Sequence, residues 1–175
     1  SWKPNCPVAL EDLRYLTIPF WGYDDQIHDG HMVVHKKVAD EVLTVFAKLL
    51  ESRFPIEKME LIDLYDANDD LSMEVNNSSA FCSRENTTYP GVFSNHSYGI
   101  AIDINPKINP YVKGERVCPA SGRAYLNRSE AYKGIITEQS IPYYEFTKLG
   151  WEWGGNCWTD RVDYQHFSKK ISDLS

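Results

Sequence analysis

The sequence predicts an α+β fold, a single domain in which an antiparallel sheet carries helices packed on one side. The first observation behind this is the stretch 35–52, "HKKVADEVLTVFAKLLES". It sets Val38, Val42, Val45 and Leu49 at helical spacing, with Phe46 and Leu50 alongside. The second is a set of strand-like runs: "EKMELIDLY", which alternates, "YGIAIDI", which is apolar but for one aspartate, and "RVDYQHFS", rich in strand formers. The third is their order, with a helix first, strands mixed with irregular segments next, and helices again.

Taken along the chain, residues 9–16 read as a short helix ended by a turn at "TIPFWGYDD". The long helix follows and Pro55 closes it, so residues 1–55 form a helical N-terminal part and the rest of the domain lies over about 60–168. The polar run 66–79, "DANDDLSMEVNNSS", reads as a loop, and Pro90 with Gly91 as a turn. "YGIAIDI" is a buried strand ended by "NPKINPYV", and an irregular region with Gly114, Pro119 and Gly122 comes next. Ser129 is placed to cap a helix over 129–136, and Ser140 another over 142–149 that ends at Gly150. There is no internal repeat, low-complexity tract or linker.

With 175 residues the chain can bury a real core as one domain. Its 42% hydrophobic and 25% charged residues are those of an ordinary globular protein. No apolar run approaches the roughly 20 residues that span a bilayer. The N-terminal "SWKPNCPVALEDL" lacks a basic segment followed by an apolar one and does not read as a signal peptide. A formal charge of −7 argues against a nucleic-acid partner, and "HKK" and "SKK" are too short to form a basic face. Cys6, Cys82, Cys118 and Cys157 form no C-x-x-C pair, which excludes a zinc knuckle or a thioredoxin-like motif. They permit one or two disulfides, with three full pairings, or a set of buried thiols. The default oligomeric state is a monomer.

Chemistry concentrates in "SNHSYGIAID", residues 94–103. Asp103 lies between isoleucines, and a buried carboxylate is costly unless its charge is compensated. His96 lies seven residues before it, on the opposite face if the strand is regular. Gly99 between them can break the alternation through a bulge or bend. His166, in the second strand-like run, would complete a site of two histidines and one carboxylate. Three protein ligands leave a fourth position for water, as in catalytic zinc sites, and a cation there neutralises Asp103. Asp163 in "DYQH" is a carboxylate that could take the proton of an attacking water and pass it to a leaving amine.

Each residue also has a plainer reading. His96 could sit on a surface loop, Asp103 could bond the turn at Asn105, His166 could be a satisfied core histidine, and Arg84 could pair with Glu85 or an acidic loop. Trp151, Trp153 and Trp158 fill core and cleft wall, with one of them free to line a groove, and Gly154 with Gly155 makes a tight turn. Two rival metal patterns are weaker. His28, His31 and His35 would share a helix face, but Gly30 interrupts them and no carboxylate or thiol partner is near in sequence. "DANDD" begins like a calcium loop, yet the required glycine is Leu71 and the terminal glutamate Asn77. Asn-x-Ser/Thr triplets, such as that at 86–88, carry no weight if the source is bacterial.

Two of these motifs carry a family resemblance. "SNHSYGIAID" matches the S-x-H-x-x-G-x-A-x-D signature of zinc peptidases that cut bacterial cell-wall peptides, and "GWEWGGNCWTDRVDYQHF" resembles their W-G-G-x-W…D-x-x-H-F segment. "NNSSAFCSR" sits where the family carries a substrate-contacting arginine. The resemblance runs from about residue 60 to 168, to the D-Ala-D-Ala carboxypeptidases and L-alanyl-D-glutamate endopeptidases, whose fold is hedgehog-like. It implies one zinc ion held by His96, Asp103 and His166, with Asp163 as general base and acid where some relatives use glutamate. It further implies that Arg84 stabilises the oxyanion or grips a substrate carboxylate and that Ser94 bonds the substrate; of the three tryptophans, Trp153 is the one expected at the substrate groove. Phe81 stands where the dipeptidase branch has an acidic residue, which, with the compact size and Asp163, leans toward the endopeptidases. The implied substrate is a peptidoglycan stem peptide, and the implied location is secreted, periplasmic or cell-wall associated, or that of a phage lysin. The alternative is a zinc-containing binding module of hedgehog type with no turnover.

Overall fold

The computed structural model describes residues 1–86 and 89–174; Thr87 and Thr88 of the triplet at 86–88 lie outside the described residues. Where the sequence suggested a helix over 9–16, a short 3-10 turn at Leu10–Asp12 leads into a long hairpin, β1 (Leu13–Gly22) and β2 (Ile27–His35). The strands are antiparallel, with Leu13 opposite His35 and Trp21 opposite Ile27. Period-two burial decides this: Leu16, Ile18 and Phe20 are buried while Tyr15, Thr17 and Pro19 are exposed. The N-terminal part is therefore a hairpin plus one helix. The rival histidine triplet falls on β2, where His28 bonds Asp24, His31 bonds Tyr15, and His35 is buried and accepts from the Lys37 amide. They do not converge.

Helix α1 (Ala39–Glu51) packs Val42, Val45, Phe46 and Leu49 into the core, as its spacing predicted. β3 (Pro55–Ile56) then pairs parallel with the end of β1. β4 (Lys58–Met59) precedes a 3-10 turn at Ile62–Tyr65, so "EKMELIDLY" is extended only at its start. The polar run expected as a loop contains helix α2 (Asp69–Glu74), capped by Asn68, whose Oδ1 accepts the Leu71 amide at 3.1 Å. β5 (Asn77–Ser78) pairs parallel with β4. The next strands are β6 (Ala101–Asp103), β7 (Tyr111–Lys113) and β8 (Arg116–Cys118). Residues 129–136 are not helical: Ser129 turns back on Asn127, and Gly134 takes φ +80°. Helix α3 (Ile141–Thr147) follows, then β9 (Glu152–Trp153), β10 (Val162–Asp163) and β11 (His166–Ser168).

In place of one sheet, the described strands form four small ones, ordered β2-β1-β3, β4-β5, β10-β7-β8 and β6-β11-β9. Strands of two or three residues, interrupted by glycine, proline and asparagine, cannot extend a ladder further. The fold is mixed α and β throughout. Phe146 of α3 joins its layers, stacking on Phe167 of β11 at 4.5 Å and meeting Phe46 of α1 edge-on at 6.3 Å. All three rings are essentially inaccessible to solvent, each contributing about 2–3 kcal/mol of burial. This packing fixes the back of β11, the strand that begins with His166. The four cysteines are free thiols. No helix among the described residues is long and apolar enough to cross a membrane.

Candidate metal centre

The last residue of β6 and the first of β11 lie directly opposite each other: Asp103 and His166 are ladder partners. Adjacent positions on antiparallel strands bring side chains within reach, and Asp103 Oδ1 lies 2.9 Å from His166 Nδ1. His96 arrives from a 3-10 turn at Asn95–Tyr98, just upstream of β6. Ser94 starts that turn, its Oγ accepting the His96 amide at 3.3 Å. Gly99 ends it at φ +69°, in the left-handed region. A Cβ there would stand 2.6 Å from the backbone nitrogen of His35, so glycine is required twice over. The alternation between His96 and Asp103 is thus broken by a helical turn and a left-handed glycine, and both side chains reach one point.

His96 Nδ1 faces the Ala80 carbonyl oxygen at 2.6 Å, which holds the proton on that nitrogen and turns Nε2 toward the cluster. Nε2 is 3.1 Å from Asp103 Oδ2 and 3.3 Å from His166 Nδ1. Donor atoms about 2.0–2.1 Å from a tetrahedral zinc lie roughly 3.3 Å from one another, so the spacing suits such an ion. Two imidazole nitrogens and a carboxylate are also zinc's usual donors, and all three residues are buried or nearly so. Among the described residues this is the one cluster of three such side chains able to hold a metal ion. Burial would raise the Asp103 carboxyl, but the facing charges and hydrogen bonds of His96 and His166 hold it well below the usual carboxylate range.

Asp163, on β10, projects into the same cleft. Its backbone is fixed by a 2.8 Å bond from its amide to the Gly154 carbonyl, while Oδ1 is buried with no partner. Burial pushes its carboxyl up to about 7, against the lowering charges of His166 and Arg84. Arg84 is anchored through its backbone amide to Ser97 Oγ at 2.9 Å. Its Nη2 meets Asp69 Oδ2 of α2 at 2.8 Å, so its partner is Asp69, and Glu85 instead accepts the Gly91 amide. Arg84 Nε has no partner.

Ser94 lines the cleft, whereas Trp153 does not. Trp153 is 4% exposed, its Nε1 donating to the Tyr164 carbonyl at 2.9 Å. The backbone at Gly155 folds over its ring, where an added Cβ would stand 2.3 Å from the indole. Trp158 takes the groove position, its ring 6.0 Å from that of His166 and covered by the Arg161 guanidinium at 4.4 Å. Asp69, Arg116 and Gln165 also line the cleft and were not singled out from the sequence. Asp69 lies in "DANDD", and its pairing with the distant Arg84 leaves no local signal in the sequence.

Fold and site together define a cleft in which two histidines and a carboxylate could hold a metal ion beside a further carboxylate. A family model described as D-alanyl-D-alanine carboxypeptidase matches residues 87–169. That segment, just under half of the chain, contains His96, Asp103, Asp163 and His166 and is similar to this family. The similarity points to a peptidase. No curated protein and no solved structure matches the chain.

Proposed function

We propose that the protein is a zinc metallopeptidase that hydrolyses peptidoglycan stem peptides, as an L-alanyl-D-glutamate endopeptidase or a D-Ala-D-Ala carboxypeptidase. The observation that carries this reading is the meeting of His96, Asp103 and His166 beside an unpartnered Asp163 oxygen in one cleft. When bound, zinc supplies Lewis acidity and makes water a competent nucleophile near neutral pH.

The protein's own groups divide the remaining work. Asp163 Oδ1, with no competing donor, accepts the water proton and returns it to the leaving nitrogen. Arg84 presents a fixed guanidinium to the carbonyl oxygen as charge develops on it, or to a substrate carboxylate. Ser94 Oγ is already used as an acceptor for the His96 amide, which leaves its proton for a substrate oxygen. Trp158 supplies an apolar wall. Phe81 is buried against Val8 and Leu13, so no acid stands at the dipeptidase position, in keeping with the endopeptidase branch. The substrate puts the enzyme at the cell wall, either secreted, periplasmic or released as a lysin, and it acts as a monomer. A filled Asp163 position speaks against a binding module without turnover.

Incubating zinc-loaded protein with purified muropeptides and weighing the products tests this. Chelator-sensitive cleavage is expected. An endopeptidase cuts whether or not the terminal carboxylate is blocked, and a carboxypeptidase requires it free. No chelator-sensitive hydrolysis of any muropeptide would overturn the reading.

A further inference from the structure

Gln165 separates Asp163 from His166, and the peptidase mechanism above gives it no task. It is 2% exposed, lines the cleft, and its Oε1 is buried with no hydrogen-bond partner. The backbone holds it there. The Gln165 carbonyl accepts the Ile104 amide at 3.1 Å, and the Tyr164 amide reaches the Pro110 carbonyl at 3.4 Å. Tyr164 turns away from the cleft, with its ring against Trp153 and under the Arg128 guanidinium at 4.3 Å. A turn at residues 164–165 links β10 to β11, and Asp163 before it and Gln165 within it both line the cleft.

A buried amide oxygen without a donor is costly, and native proteins seldom leave one unless a ligand completes it. Asp69, which shares the cleft, is held as a carboxylate by Arg84 and brings no hydrogen of its own. A peptide substrate does, on every backbone nitrogen. We infer that Gln165 is a substrate-binding residue whose Oε1 accepts a backbone N–H of the peptide, at an amide neighbouring the scissile one. This inference rests on the peptidase reading and deepens it. Asp163 serves the nitrogen that leaves, and Gln165 holds the main chain in register beside it. Such recognition reads the peptide backbone and is indifferent to side-chain identity.

The test replaces each non-scissile amide of a cleaved stem peptide in turn by an ester, which removes the N–H without adding bulk. With wild-type protein, one replacement should lower kcat/KM about tenfold, the size of one neutral hydrogen bond. In Gln165→Leu the unmodified peptide should show that same loss and the ester should add none. Gln165→Glu, which keeps an acceptor, should retain the ester penalty. Zinc content should be equal in all three. If no ester is penalised in the wild type, or if the penalty is unchanged in Gln165→Leu, the inference is overturned. If Gln165→Leu does not fold, Gln165→Met, unbranched and lacking the amide oxygen, carries the same test. Wild-type protein that fails to cut the unmodified peptide would instead overturn the peptidase reading itself.

Discussion

Arg84 and Asp69 are ion-paired across the cleft wall, Nη2 to Oδ2 at 2.8 Å, with each side chain about a quarter exposed or less. The pair joins the segment after β5 to the first turn of α2, and it leaves Arg84 Nε unpartnered. Removing the carboxylate should free the guanidinium to swing. Asp69→Asn is expected to lower kcat/KM about tenfold while zinc content stays constant, and to cost at most about 1 kcal/mol of stability, since the pair is partly solvated. Steady-state kinetics with elemental analysis checks both. Unchanged kinetics would show that Arg84 needs no anchor.

Asp163 ties pH to stability in the zinc-free protein. Its folded pKa is raised from 3.8 to about 7. The stabilisation it gives is therefore complete below the unfolded value and is lost as pH rises through about 7. Asn in its place has no charge to bury. Asp163→Asn should gain on the wild type as pH is raised from about 4 to about 8, read as the difference in Tm between the two proteins after chelation. A difference that does not change with pH would contradict the burial of this carboxyl. With zinc loaded, the same variant should bind the metal and lose hydrolysis.

The two tryptophans should separate core from groove. Trp153 packs against Tyr143, Tyr164 and Phe167, so Trp153→Ala should destabilise by about 3–5 kcal/mol. Trp158→Ala should instead raise KM with a small change in Tm. Thermal unfolding alongside kinetics tells them apart, and the reverse pattern would restore Trp153 to the substrate groove.

Gly99→Ala places a methyl 2.6 Å from the His35 nitrogen at a φ of +69°. The strain and the displaced turn should cost about 2 kcal/mol or more, a fall of roughly 4–8 °C in Tm. Because the same turn carries His96, zinc affinity should fall with it. A stable variant with full zinc content would mean that the turn tolerates a side chain.

The meeting of His96 and Asp103 was legible in sequence because its constraints are local: a glycine between the two, and an acid stranded among isoleucines. Helix α1 was legible through its apolar period. The hairpin was not, since Pro19 and Gly22 resemble turn punctuation and mask the alternation of Leu16, Ile18 and Phe20. Helix α2 buries only Ser72 and Met73, too little to leave an apolar stripe. The Asp69–Arg84 pair and the seating of Trp153 beneath Gly155 are set by tertiary packing, and no spacing announces them. Trp158, five residues on, shares Trp153's composition signal and differs only in where the chain turns.

The most direct measurement is anomalous scattering at the zinc edge, from crystals of the wild type and of Asp103→Ala. The wild type should show one zinc bound by His96, Asp103 and His166, with its remaining position open to solvent, and the peak should vanish or weaken sharply in the variant. A peak elsewhere in the molecule, a fourth protein ligand closing the site, or full occupancy without Asp103 would contradict the account.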